Sequence, residues 1–224
     1  MHYKVLNHIQ QIVLNNFASV TDSTIFYLTG GTALSAFYLG HRQSHDLDFF
    51  TSENEIIIPF SFNLEAKLKN IGCKVTRKRS FNTFIELIVE KENELTLIHL
   101  ALDSPFRFEP VTEVEEVPGL KIDALIDIAS NKLLALFGRA TLRDFVDTYF
   151  LIRSGRYTKE LLMDKAKIKD PGFNIYWLGI AIEKLNIYTE KDADSLLLTE
   201  PIDYKEFINF FLDWQKTITR HLKP

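Results

Sequence analysis

The sequence predicts an α+β fold in two parts: a mixed-sheet domain over residues 1–118 and a helical domain over residues 119–224. Three observations lead there. The first half alternates short apolar runs of strand length with helical patterns. Composition shifts near Pro118-Gly119, and beyond it long helical patterns follow with few strand signals. A chain of 224 residues can also bury most of its unfolded surface, as one large domain or two small ones.

Each element has its own justification. The opening "MHYKVLNHIQQIVLNNF" mixes polar residues into its apolar ones, so it does not read as a signal peptide. Val5, Ile9, Ile12, Val13 and Phe17 fall near helical spacing, which predicts an amphipathic helix. "IFYLT" (25–29) is a compact apolar strand. "TALSAFYLG" holds helix formers, has Thr32 placed to cap it, and stops at Gly40. "DLDFF" begins another strand. "FNLEAKLKNIG" is a helix closed by Gly72. "CKVTRKR", "FNTFIELIVE" and "LTLIHLAL" are three strands, and Asn93 between the last two predicts a hairpin. Past residue 118, "IDALIDIASNKLLALFG" is one helix and "TLRDFVDTYFLIRSG" the next, with Thr141 as its N-cap. Further helices are expected over 159–168, 173–185 and 204–222.

Composition excludes several classes. Apolar content of 46% and charged content of 25% are those of an ordinary globular protein. No apolar run approaches the ~20 residues needed to span a membrane. One cysteine, Cys73, excludes an internal disulfide and a cysteine-based zinc site, and a reducing, cytoplasmic setting is the simplest fit. The net charge of −4 gives no global attraction to nucleic acid. The local exception is "KLKNIGCKVTRKRS", with Lys67, Lys69, Lys74, Arg77, Lys78 and Arg79. It reads either as a solvated helix end and strand edge or as a patch for the phosphates of a nucleotide or RNA.

The chemistry concentrates in "YLTGGTALSAFYLGHRQSHDLDFF". Residues i and i+2 of a strand share a face, so Asp46 and Asp48 project side by side while Leu47 points the other way. Adjacent carboxylates repel, and a hard divalent ion with oxygen ligands, such as Mg²⁺, relieves that. Such an ion commonly also holds substrate phosphates. Gly30 and Gly31 bring backbone N–H groups close to a ligand without interference from a Cβ, and the start of the following helix suits a phosphate. Strand, Gly-Gly turn, helix and a strand with paired aspartates thus read as a metal-assisted nucleotide site. Against this stands a plain reading: a tight strand-to-helix turn and a solvated strand end.

The segment resembles the AbiEii/AbiGii-type nucleotidyltransferase toxin family of the polymerase-beta-like superfamily. That family's pattern is a Gly-Gly-Thr or Gly-Ser turn, a helix, then His-Arg-x-Ser-x-Asp-[Leu/Ile]-Asp-Phe-Phe. Gly30, Gly31, Thr32, His41, Arg42, Ser44, Asp46, Asp48, Phe49 and Phe50 match it. "NKLLALFGRATLRDFVDTYFL" is similar to a second family signature, Lys-x-x-Ala-x-x-x-Arg-x-x-x-Arg-Asp-x-x-Asp. Lys132, Ala135, Arg139, Arg143, Asp144 and Asp147 meet it. The resemblance spans roughly residues 25 to 152.

The resemblance implies a polymerase-beta-like nucleotidyltransferase domain with a mixed sheet, followed by a helical domain, with an NTP in the cleft between them. It implies transfer of a nucleoside monophosphate from the NTP to an acceptor, with Mg²⁺ or Mn²⁺. Asp46 and Asp48 would bind metal. Gly30, Gly31, Thr32, Arg42 and Ser44 would serve the nucleotide, with Gly31, Thr32 and Ser44 on phosphate oxygens. Lys132 would reach the triphosphate, and Asp144 joins the catalytic set. The plain alternatives are a surface lysine at 132 and helix-fixing pairs of Asp144 and Asp147 with Arg139 or Arg143. The implied setting is a toxin–antitoxin or phage-defence pair with a cognate antitoxin. The acceptor stays open: RNA such as tRNA, protein or a small molecule.

One position departs from the family. Its strand with a Leu-x-[Val/Ile]-Asp-Leu pattern carries a third carboxylate, and "ELTLIHLALDSPF" has His99 there. The nearest acids are Glu86 and Asp103. His99 is expected on the strand adjacent to Asp46 and Asp48, on their face, as a metal ligand or general base. It is otherwise a structural histidine, and the chain then a catalytically impaired module that binds nucleotide or a partner protein.

Overall fold

The structure, a computed structural model, describes residues 1–222. By its internal contacts the chain divides into two compact units, Met1–Leu125 and Ile126–Pro224.

The first unit is built on a mixed sheet. Its strands are β1 (Tyr27–Thr29), β2 (Asp46–Thr51), β3 (Lys74–Phe81), β4 (Phe84–Lys91), β5 (Glu94–Leu102), β6 (Thr112–Glu113) and β7 (Lys121–Ile122). They lie in the order β3-β4-β5-β2-β1-β7-β6. β2 and β5 run parallel, as do β1 and β7; the remaining pairs are antiparallel. Helices α1 (His8–Phe17) and α3 (Ile57–Asn70) cover one face. Strand alternation explains the sheet's two characters: in β2, Leu47, Phe49 and Thr51 are buried, while Asp46, Asp48 and Phe50 are half-buried. Phe49 stacks on Phe17 of α1 at 3.7 Å between ring centroids, and Phe26 and Phe60 complete that cluster. Each such ring contributes a large apolar area, so β2 is anchored by its even-handed alternation and its acids are turned to the opposite face.

Two short turns shape this unit. Glu92 and Asn93 both have positive φ between β4 and β5, the twist-matched geometry of a two-residue hairpin, so the hairpin expected at Asn93 is formed. Asn82 and Thr83, read from sequence as part of a strand, instead form the turn between β3 and β4. β7 pairs with β1 through Leu28 and Ile122, which carries the sheet beyond the compositional shift at Pro118-Gly119.

The segment after the Gly-Gly turn also differs from expectation. Helix α2 (Gly30–Ala33) begins at the first glycine and continues as a π-helix over Leu34–Leu39. It stops at Gly40, whose φ of 66° closes it as expected. Thr32 therefore lies inside the helix rather than at its cap, and its hydroxyl donates to the Asp46 carbonyl.

The second unit is helical: α4 (Leu125–Gly138), α5 (Leu142–Arg153), α6 (Lys159–Lys169), α7 (Ile175–Glu183), α8 (Glu190–Asp194) and α9 (Tyr204–Leu222). Phe145, Tyr149, Phe207 and Phe211 pack its core edge to face, and Trp214 stacks on Phe211. Thr141 caps α5 as expected, in a capping box with Asp144. No described helix is long and apolar enough to cross a membrane.

Candidate active site

The residues singled out on β2 sit on one strand face, and the register of the sheet supplies their neighbours. Thr29 of β1 pairs with Asp48, Asp48 with His99 of β5, His99 with Glu86 of β4, and Glu86 with Arg79 of β3. Paired residues share a face, so these five side chains form one polar row across five strands. His99 thus stands beside Asp48 on the adjacent strand. Its Nδ1 is 2.8 Å from Asp48 Oδ1, and with a proton there it donates that hydrogen bond. Arg79 Nε reaches Glu86 at 3.5 Å from the outer end.

Electrostatics follow from this row. The imidazole of His99 is held above its ordinary pKa, first by the hydrogen bond to Asp48; burial works against that, and the charges of Asp48, Asp46 and Glu86 add to it. Both Asp48 and His99 keep partial exposure, 26% and 19% of their side chains, which leaves them reachable from solvent.

The Gly-Gly turn meets Asp48 directly. Gly30 has φ +73°, and a Cβ built on it would lie 2.2 Å from Asp48 Oδ2. Only glycine suits that position, for its conformation and for its missing side chain. Gly31 and Thr32 are buried. Arg42 is also buried and donates to the Gln43 carbonyl at 2.8 Å. Ser44 is half-buried, and its carbonyl accepts from Gln10 of α1 at 2.6 Å.

A metal must be supplied with donors. Asp46 and Asp48 offer hard carboxylate oxygens on one face, which suits Mg²⁺ or Mn²⁺ completed by water and phosphate oxygens. Among the described residues, no group of three or more His, Cys, Asp or Glu is gathered to hold an ion. The residues therefore fit a cation that depends on its substrate for much of its shell.

In the helical unit, Lys132 is not a surface lysine. It is 7% exposed, and its Nζ lies 2.8 Å from Asp147, which is fully buried. Asp144 is also fully buried; Arg139 binds both its oxygens at 2.9 and 2.7 Å, and the Thr141 amide and hydroxyl donate to Oδ2. Burial raises its pKa, but the hydrogen bonds and charges of Arg139, Thr141 and Lys132 outweigh that and leave it below the usual carboxylate range.

A second buried network was not foreseen. Asp123, 1% exposed, accepts from Thr29 Oγ1 at 2.8 Å and from Arg107. Arg107 also binds Asp103 and lies 3.7 Å over the Tyr27 ring. The Tyr27 phenol donates to Asp103 at 2.6 Å; burial and then Asp103 push its pKa far above the ordinary value. Asp103 is thereby tied to Tyr27 and Arg107. Asp123 and Thr29 are distant in sequence, and only the pairing of β7 with β1 joins them.

The basic run is largely neutralised at home. Lys69 and Arg77 pair with Glu65, Lys74 with Glu90 and Arg79 with Glu86. This favours the solvated reading for most of it.

The fold has solved counterparts. JHP933 from Helicobacter pylori is 21% identical with a TM-score of 0.57, covering 99% of this chain and 91% of that one. A Helicobacter pylori protein described as a candidate nucleotidyltransferase is 22% identical with a TM-score of 0.58, covering 99% and 94%. These likenesses define the fold: a mixed sheet followed by helices. Residues 12–217 match the nucleotidyl transferase AbiEii toxin family of Type IV toxin–antitoxin systems, and the chain belongs to that family. The uncharacterized protein aq_aa25 of Aquifex aeolicus (strain VF5) is 34% identical over 169 residues, 74% of this chain and 77% of its own length.

Proposed function

We propose that this chain transfers a nucleoside monophosphate from an NTP to a hydroxyl-bearing acceptor, releasing pyrophosphate, as the toxin of a toxin–antitoxin or phage-defence pair in the cytoplasm. The observation that carries this reading is the contact of Asp48 with Gly30. It puts a carboxylate pair and a glycine turn in one place, within a chain of the AbiEii family. A divalent ion on Asp46 and Asp48 would neutralise charge on the reacting phosphate.

The chain's own residues do the rest. The Gly30-Gly31 turn offers backbone N–H groups, and Ser44 and Arg42 stand on the segment that leads into β2. Thr32 anchors the turn to β2 by its bond to the Asp46 carbonyl. His99 orients Asp48 by holding Oδ1, while Gly30 clears the space for Oδ2. Positioning of this kind carries much of the rate of phosphoryl-type transfers.

A second reading is favoured by the same hydrogen bond. If His99 keeps Asp48 engaged, the site holds metal weakly, and the chain serves as a nucleotide- or partner-binding module. One experiment separates the two: the protein is incubated with each labelled NTP, Mg²⁺ or Mn²⁺, and cell extract. Labelled product that disappears with Asp46→Asn supports transfer. NTP binding by calorimetry without any labelled product supports the module. A cognate antitoxin, whose identity the chain does not carry, is sought by co-expression and relief of toxicity.

A further inference from the structure

We propose that Asp123 is a positioning residue for the Gly30-Gly31 turn: through Thr29 it fixes the strand end that enters the turn. The inference rests on the nucleotidyl-transfer reading above and deepens it by assigning what holds the turn in place against Asp48.

The observation is a buried acid with partners on both sides of the turn. Asp123 is 1% exposed and directly follows β7. Its amide donates to the Leu28 carbonyl at 2.9 Å, which docks it beside the end of β1. Its Oδ2 accepts from the hydroxyl of Thr29, the residue before Gly30, at 2.8 Å. Its carbonyl accepts from the Tyr38 hydroxyl at 2.7 Å, one residue before the π-helix ends at Leu39. Asp123 thus touches this segment both ahead of its glycines and at the far end of its helix. β1 is three residues long, so its own ladder holds the turn at few points, and these bonds add to it.

The chemistry of the position asks for a carboxylate. Oδ1 accepts from Arg107 while Oδ2 accepts from Thr29, so both oxygens are engaged as acceptors at once. An acid this deeply buried stays ionised where a cation meets it, and Arg107 supplies that charge. Arg107 is held in turn by Asp103 at 3.0 Å and by the ring of Tyr27, at the other end of β1. The consequence falls on the site. Thr29 pairs in register with Asp48, and Gly30 leaves no space between the turn and Asp48 Oδ2. A displacement of Thr29 therefore moves the N–H groups of the turn against the carboxylate. In a transfer that depends on positioning, a misplacement of about 1 Å costs about a hundredfold in rate.

The test uses the full chain carrying ¹⁵N-labelled glycine, read by amide NMR, with labelled-nucleotide transfer alongside. The nine glycines give few signals, and single substitutions assign them. Thr29→Val removes the hydroxyl and keeps the β-branched shape. It should shift the amides of Gly30 and Gly31, leave those of Gly138, Gly155, Gly172 and Gly179 in place, and lower transfer by about a hundredfold. Thr29→Ser keeps the hydroxyl and should bring both readouts back near wild type. Asp123→Asn keeps the shape with one acceptor oxygen and should shift the same two amides; where it does not fold, Thr29→Val with its melting curve carries the test. Gly30 and Gly31 signals that stay in place in folded Thr29→Val overturn the proposal. So does full transfer by Thr29→Val despite shifted signals, because the network is then structural only. Wild type that forms no labelled product removes the transfer reading alone, and shifts confined to the turn would still support the hold of Asp123 on it.

Discussion

The carboxylate of Asp48 occupies the space a side chain at residue 30 would need: a Cβ on Gly30 would lie 2.2 Å from Oδ2. The acid therefore dictates a glycine at the turn. Gly30→Ala adds that clash to a positive-φ conformation costing about 1–2 kcal/mol for a side-chain-bearing residue. The expected outcome is near-complete loss of nucleotidyl transfer with only a modest fall in melting temperature. Retained transfer in a folded variant would separate the turn from the site.

The proposed cation would sit on Asp46 and Asp48. Replacing either by Asn removes a charge worth a few kcal/mol of attraction at close range, so divalent-dependent NTP binding should fall by about a hundredfold or more. His99→Asp works in the other direction. It adds a carboxylate beside Asp48, and Mg²⁺-supported transfer should rise, or become measurable where it was not. Titration of Mn²⁺ by electron paramagnetic resonance reads the same change without relying on activity. Unchanged Mn²⁺ affinity in His99→Asp would mean that residue 99 stands outside any metal shell.

Lys132 and Asp147 form a buried pair, and its two roles can be separated. Lys132→Met removes the ammonium 2.8 Å from the buried Asp147 carboxylate and should cost about 3–5 kcal/mol of stability. The double variant Lys132→Met with Asp147→Leu should recover most of that, since apolar replacements of both partners are often neutral. If the double variant melts normally yet has lost transfer, Lys132 serves the reaction as well as the fold. Normal melting with normal transfer would make the pair purely structural.

Asp144 gives a pH signature. Its folded-state pKa is depressed, so its contribution is present above the unfolded value of about 3.9 and is lost as pH falls through the folded one. Asp144→Asn should therefore lower the melting temperature near neutral pH, and the gap from wild type should narrow below about pH 4. Thermal melts across that range check it. A constant gap would show that capping geometry alone, and not charge, explains the residue's burial.

Much of this protein was legible in the chain itself. The i, i+2 spacing of Asp46 and Asp48 determined that they share a face, because strand alternation is a local property. Gly40, Gly72 and Asn93 announced where elements stop, because positive φ is set within a few residues. The two motif segments likewise named the family. Other features were decided only in three dimensions. Thr32 is no helix cap, because the helix already starts at Gly30. Asp123 and Arg107 joined the neighbourhood of the turn through the short strand β7, too brief to leave a pattern. The match of Asp48 with His99, Glu86 and Arg79 depends on register between strands far apart in sequence. Local stereochemistry determines which way a side chain points, but what it faces is set by long-range pairing, which no short window of sequence contains.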